Sequence, residues 1–262
     1  MEAAADLVLI DVSDGIAIVT LNRPAARNAL STGLLRALRS AMAHVEADPL
    51  VEVIVLTGAD PAFSAGLDLK ELGSTGGNIS GGGDPTNAPS KPWPALTKLV
   101  IGAVNGVAVT GGFELALQCD FLVASERARF ADTHTRVGIL PGWGLSVLLP
   151  QAIGIRRARE MSMTGNYMDA AEALRLGLVN HVVPHDDLLR FTRSIATAIV
   201  GNDGPACREL LASYGRIAAA DGVAEGLTIE AATGRAWHAR GFDPAEVERR
   251  RLAIVERGRT QI

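Results

Sequence analysis

A chain of 262 residues with 48% hydrophobic side chains carries enough apolar surface to fill a large core, which excludes disorder along its length. Its formal net charge is −4, and Lys and Arg are scattered until the last quarter, so no basic stripe offers itself to a phosphate backbone and nucleic acid is not an expected partner. The two cysteines, Cys119 and Cys207, lie far apart and read as reduced thiols of a cytoplasmic protein, a single disulfide being the other reading.

The opening MEAAADLVLIDV has neither the basic stretch nor the long apolar run of a secretory signal. The longest uncharged apolar stretch, Leu99 to Phe113, is too short to span a bilayer, so a soluble, cytoplasmic protein is expected. In chain order, LVLIDV (7–12) and IAIVTL (16–21) flank Ser13-Asp14-Gly15, a hairpin signal. Leu34, Leu35, Leu38, Met42 and Val45 then recur at helical spacing behind the cap candidate Ser31. VEVIVLT (51–57) predicts a buried strand leading into a loop. GGNISGGGDPTNAPSKPWP (76–94) is dense in Gly and Pro and reads either as a lid or as a passive insertion. Beyond it, VIGAVNGVAV (100–109) predicts a strand, FELALQC (113–119) a helix and DFLVAS (120–125) another strand. From about residue 144 the pattern is mostly helical, ending in FDPAEVERRRLAIVERGRTQ (242–261). Strands alternating with helices predict an α/β layer architecture with mixed sheets, divided into a core over 1–200 and a helical C-terminal region over 201–262.

Chemistry concentrates where strands give way to glycines. In VTGGFELAL (109–117), Gly111 and Gly112 let the backbone turn sharply against a ligand, while a helix start turns free N–H groups outward, a setting that suits a negative oxygen. Glu114 then falls in the first helical turn. The plainer reading is a simple strand-to-helix junction with Glu114 interacting with the helix dipole. Residues Ala62 to Lys70 form a second loop of small residues between a strand and a helical turn, and N–H donors from two such loops can form an oxyanion hole.

AFSAGLDL (62–69) together with AVNGVAVTGGFELALQCD (103–120) resembles the paired signature of the crotonase, or enoyl-CoA hydratase/isomerase, family. LNRPAARNAL (21–30), GILPGWG (138–144) and MTGNYMDAAEALRLGLVNHVV (163–183) extend the resemblance over most of the chain. It implies a spiral of strand-strand-helix repeats, a helical C-terminal trimerisation region giving a homotrimer or a dimer of trimers, and an acyl-CoA thioester substrate of fatty acid metabolism. No cofactor or metal is implied, since coenzyme A belongs to the substrate. The thioester oxygen would lie between the N–H groups of Ala65 and Gly111, with Ala65, Gly66, Leu67, Asp68 and Gly111 along the substrate.

Hydratases of that family flank the reacting double bond with two glutamates. Glu114 matches the first, a general base for water. The second stands four residues before the first glycine of a segment ending G-x-x-P-G, and counting back from Gly138 reaches His134 instead. An imidazole of ordinary pKa ~6.5 exchanges protons near neutrality, so His134 is the candidate second proton-transfer group, or else a pocket-lining or surface loop histidine with no proton-transfer role. Asp132, two residues away, is placed so that a contact is permitted but not imposed, and Arg136 is expected to make a local ion pair or carbonyl hydrogen bond.

His181 and His185 share a metal-like spacing, but the intervening Val-Val-Pro breaks the helix that would align them. GLSVL (144–148) lacks the second glycine of a nucleophile elbow, and no G-x-G-x-x-G follows a strand. Arg249, Arg250, Arg251, Arg257 and Arg259 read as a solvated helix face, with a subunit contact or CoA phosphates as alternatives. Three functions follow: an enoyl-CoA hydratase using Glu114 and His134, an isomerase or other thioester-enolate enzyme, or a non-catalytic acyl-CoA binder. An idle buried Glu114 would carry a desolvation cost, which weighs against the last.

Overall fold

The computed structural model describes residues 7–75, 78, 91–241 and 243–261. It opens with β1 (Val8–Ser13) and β2 (Ile16–Leu21), antiparallel and joined through Asp14 and Gly15, whose φ angles are 52° and 78°. Two successive positive φ values match the right-handed twist of a tight hairpin, and Asp-Gly adopts them at small cost. Ser31 then caps α1 (Thr32–Ala47), its Oγ accepting the Leu34 N–H at 3.2 Å.

β3 (Val53–Gly58) is buried along its whole length. The reason is coverage on both faces: Ile54 and Leu56 belong to the apolar cluster that includes Leu34, Leu38 and Met42 of α1, whereas Val53 and Val55 pack in a second cluster with Leu188 and Ala196 of α8 (Leu188–Val200). With β5 (Leu99–Val104), β7 (Phe121–Ser125) and β10 (His181–Val183), these strands form a six-stranded sheet ordered β1-β2-β3-β5-β7-β10, parallel apart from the first hairpin.

A smaller sheet holds β4 (Ala62–Ser64), β6 (Val107–Val109), β8 (Arg129–Ala131) and β9 (Met168–Asp169), in that order. The single strand expected over 100–109 is therefore two, one in each sheet. The chain bends at Asn105-Gly106, where a Cβ on Gly106 would stand 2.4 Å from the Pro61 carbonyl oxygen. With α2 (Leu69–Thr75), α3 (Gly111–Leu117) and α4 (His134–Val137), strand-strand-helix recurs four times, β1-β2-α1, β3-β4-α2, β5-β6-α3 and β7-β8-α4, as the expected spiral requires. β4, β6 and β8 are mutually parallel neighbours. Their C-terminal ends consequently lie side by side, the usual place for a ligand in an α/β sheet.

Helices α5 (Leu145–Ile153), α6 (Ile155–Thr164), α7 (Ala170–Arg175), α9 (Gly204–Ala218), α10 (Val223–His238) and α11 (Pro244–Gln261) account for most of the rest. Two compact units result, Met1–Arg208 and Glu209–Ile262. Within α11 the arginines pair locally: Arg249 and Arg250 with Glu246, Arg251 with Glu248, Arg259 with Glu256. Apart from 78 and 91–94, the Gly/Pro-rich segment expected as a lid or insertion lies outside the described residues. Cys119 and Cys207 are both free thiols, and no helix among the described residues is long and apolar enough to cross a membrane.

Candidate active site

Three loops leave the C-terminal ends of β4, β6 and β8 together. Gly66 sits at φ 83° and its Cα presses on the β6 loop: a Cβ there would lie 2.6 Å from the Val109 carbonyl oxygen and 3.4 Å from the Gly111 nitrogen. Gly112 is as constrained, since a Cβ would meet the Ser64 carbonyl oxygen at 2.3 Å. Glycine alone lets the two loops touch backbone to backbone.

Ala65, the expected oxyanion donor of the first loop, is already engaged: its N–H donates to the Arg27 carbonyl at 2.9 Å. Two residues on, the Leu30 N–H donates to the Gly66 carbonyl at 2.7 Å and the Asp68 N–H to the Leu30 carbonyl at 3.1 Å, a parallel bridge centred on Leu67. N–H direction alternates along such a segment, so the Leu67 N–H faces away from Leu30, and it meets no acceptor among the described residues. The Gly111 N–H likewise has none. Leu67 therefore replaces Ala65 as the available donor. Asp68, expected along the substrate, is tied by its carboxylate to Arg23 at 3.1 Å, which together with backbone N–H bonds outweighs partial burial and lowers its pKa.

Thr110 precedes Gly111 with φ 53° and ψ −119°, a strained geometry for a β-branched residue. Its N–H donates to the Ala131 carbonyl at 3.0 Å, and its hydroxyl lies 2.6 Å from that of Thr133. These bonds hold the junction from which Gly111 turns outward. No sequence signal pointed to Thr110, because β-branched residues ordinarily avoid positive φ.

Glu114 is buried in α3. Its Oε1 accepts the backbone N–H groups of Trp143 at 2.7 Å, Gly142 at 3.1 Å and Leu145 at 3.5 Å, so the Pro-Gly segment serves as a cradle for one carboxylate oxygen. The other, Oε2, faces His134 Nε2 at 3.4 Å. On the far side of the ring, Nδ1 lies 2.6 Å from Asp132 Oδ1, which also accepts the His134 backbone N–H at 3.1 Å. Asp132 and His134 are both buried. Burial alone would lower the imidazole pKa; hydrogen bonds and charges from Asp132 and Glu114 outweigh it and raise the value to about 9. For Asp132, burial is likewise outweighed, by the hydrogen bonds from His134 and the Ser162 hydroxyl, and its pKa falls below the usual carboxylate range.

The structure thus brings Glu114, His134, Gly111 and the Leu67 segment to neighbouring strand ends and adds Asp132, which the spacing permitted without imposing. Arg136 does as expected, donating to the Thr164 carbonyl at 3.0 and 2.7 Å. His181 ends in β10 against Phe191, and His185 lies between Ser125 and Asp60; among the described residues no cluster fit for a metal forms.

The enoyl-CoA hydratase/isomerase family model matches residues 11–257. A crystal structure of an enoyl-CoA hydratase from Mycobacterium tuberculosis H37Rv is 53% identical, with a TM-score of 0.75 over 88% of this chain and 98% of that one. An Arabidopsis thaliana protein named "Probable enoyl-CoA hydratase 1, peroxisomal" is 44% identical over 73% of this chain and 71% of its own length. A Mycobacterium bovis protein named "Probable enoyl-CoA hydratase echA8" is 38% identical over 86% of this chain and 87% of its own length.

Proposed function

The chain belongs to the enoyl-CoA hydratase/isomerase family, and on that premise we propose that it adds water to the double bond of 2-enoyl-CoA thioesters. The N–H groups of Leu67 and Gly111 receive the thioester oxygen, whose charge grows as the enolate forms. Glu114 Oε2 takes a proton from water as the oxygen attacks C3, and His134 Nε2 delivers a proton to C2. The proton on Glu114 then returns to Nε2 across the 3.4 Å that separates them, which restores both groups and leaves one water added to the substrate.

The observation carrying this reading is that buried Glu114–His134 pair, beyond the same strand ends as two backbone donors that meet no acceptor among the described residues. The cradle on Oε1 supports it further, since three N–H groups hold one oxygen and leave the other for proton transfer. Exposed Leu210, Tyr214, Val223 and Leu227 support assembly through the C-terminal helices, which we take to be a homotrimer or a dimer of trimers. The free thiols fit a reducing compartment, and we place the protein in the cytoplasm.

Loss of the conjugated-thioester absorbance on mixing with a short and a long 2-enoyl-CoA tests the reading, with Glu114→Gln and His134→Ala alongside. Hydration by the wild type that both folded variants lower by about 10³-fold is the expected result. Double-bond migration without hydration would make the protein an isomerase, and thioester binding without turnover would make it a carrier.

A further inference from the structure

We propose that Asp132 is a positioning residue: it pins Nδ1–H of His134, turns Nε2 toward Glu114, and so makes the ring enter each cycle as an imidazolium with its mobile proton on Nε2. This rests on the reading of His134 as the proton donor to C2.

Two contacts fix the ring. One oxygen of Asp132 receives both the backbone N–H of His134, at 3.1 Å, and Nδ1, at 2.6 Å, so a single carboxylate oxygen sets the local backbone and the ring together. The opposite ring nitrogen faces Glu114 Oε2 at 3.4 Å. A neutral imidazole carries one N–H and one lone pair, and between two carboxylates that lone pair must point at an anion whichever tautomer is chosen. Protonating both nitrogens removes the conflict. The groups acting on the ring are Asp132, from the loop after β8, and Glu114, from α3; Ser162 of α6 donates to the Asp132 carboxylate, and the Arg136 guanidinium turns away to Thr164.

The consequence is directional. Once Nε2 has given its proton to C2, the ring is neutral with its remaining hydrogen on Nδ1, and its bare nitrogen faces the oxygen of Glu114 that now holds the water proton. Asp132 thereby keeps the ring from flipping or changing tautomer between delivery and reloading. Without Asp132, a neutral ring with Nε2–H toward Glu114 satisfies every contact, so the resting imidazolium is no longer enforced.

Asp132→Asn tests this in the full chain. Expected are a fall in kcat of about 100-fold or more with KM within about threefold of wild type, and an alkaline limb of kcat/KM displaced to lower pH. NMR titration of the His134 ring in the free protein should move the same way, and this readout needs no turnover. In a His134→Gln background, Asp132→Asn should cost no further activity. Equal losses in both backgrounds would make Asp132 a structural residue and overturn the proposal, as would an unmoved ring titration. A wild type that hydrates no enoyl thioester would sink the hydratase reading alone, because the ring titration still decides whether Asp132 sets the state of His134.

Discussion

Two histidines in this protein each stand between two polar partners. His134 bridges Asp132 at 2.6 Å and Glu114 at 3.4 Å, while His185 bridges Ser125 Oγ and Asp60 Oδ2, both at 3.1 Å. Drawn as connectivity, the second is a Ser-His-Asp array and the more suggestive of the two. Its surroundings say otherwise. Asp60 is 62% exposed at its side chain, and the Ser125 hydroxyl is fully buried and already accepts the Arg127 N–H at 3.0 Å. No substrate atom could reach that hydroxyl, so the array ties the end of β7 to the loop before β4. In the first cluster all three side chains are buried, screening is weak, and hydrogen bonds and charges from the two carboxylates raise the pKa of the ring between them. Connectivity alone therefore does not single out a candidate catalytic group; burial beside backbone donors that meet no acceptor among the described residues does.

The largest contrast between the clusters should come from their acids. Glu114→Gln removes the proposed base and should lower hydration by about 10³-fold or more, whereas Asp60→Asn should leave kcat within about twofold. Steady-state kinetics on one enoyl-CoA, with both variants checked for folding, measures the difference. Comparable losses would erase the distinction.

A second test concerns the backbone donors beside the first cluster. Gly66→Ala places a Cβ against the Val109 carbonyl at a positive φ, so it should shift the Leu67 N–H, lower kcat by about 10- to 100-fold and cost roughly 1–3 kcal/mol of stability. Activity together with urea unfolding checks both effects.

Stability against pH reports on the buried ring of His134. With its folded pKa raised from 6.5 to about 9, His134 stabilises the fold fully below pH 6.5, and this contribution fades as pH rises through about 9. The size is roughly 3 kcal/mol for a buried ring at that shift. Urea unfolding from pH 6 to 10 should show the decline in wild type but a flattened profile in His134→Gln. The smallest effect belongs to the outer cluster: Asp60→Asn should change stability at pH 7 by less than about 1 kcal/mol, because the exposed carboxylate is well solvated and its interactions are screened.

Local order was readable wherever residues one to four apart decide it. Asp14-Gly15 announces the hairpin, Ser31 the start of α1, and the spacing back from Gly138 puts His134 in the register of a proton-transfer group. Reading failed where a distant segment intervened. The run 100–109 looks like one strand because its hydropathy is continuous, yet Gly106 must bend around Pro61. Ala65 looks as available as Leu67 from sequence, and only the carbonyl of Arg27 distinguishes them.

By itself, then, the sequence determined the family, the repeat of strand, strand and helix, and the kinds of side chain at the site, because periodicity, turn residues and ordered motifs are properties of neighbours along the chain. Tertiary structure alone decided which N–H groups meet no acceptor among the described residues, that three amides cradle one oxygen of Glu114, and that Asp132 touches His134. A hydrogen bond consumes a donor, and which partner consumes it depends on segments brought together only by folding.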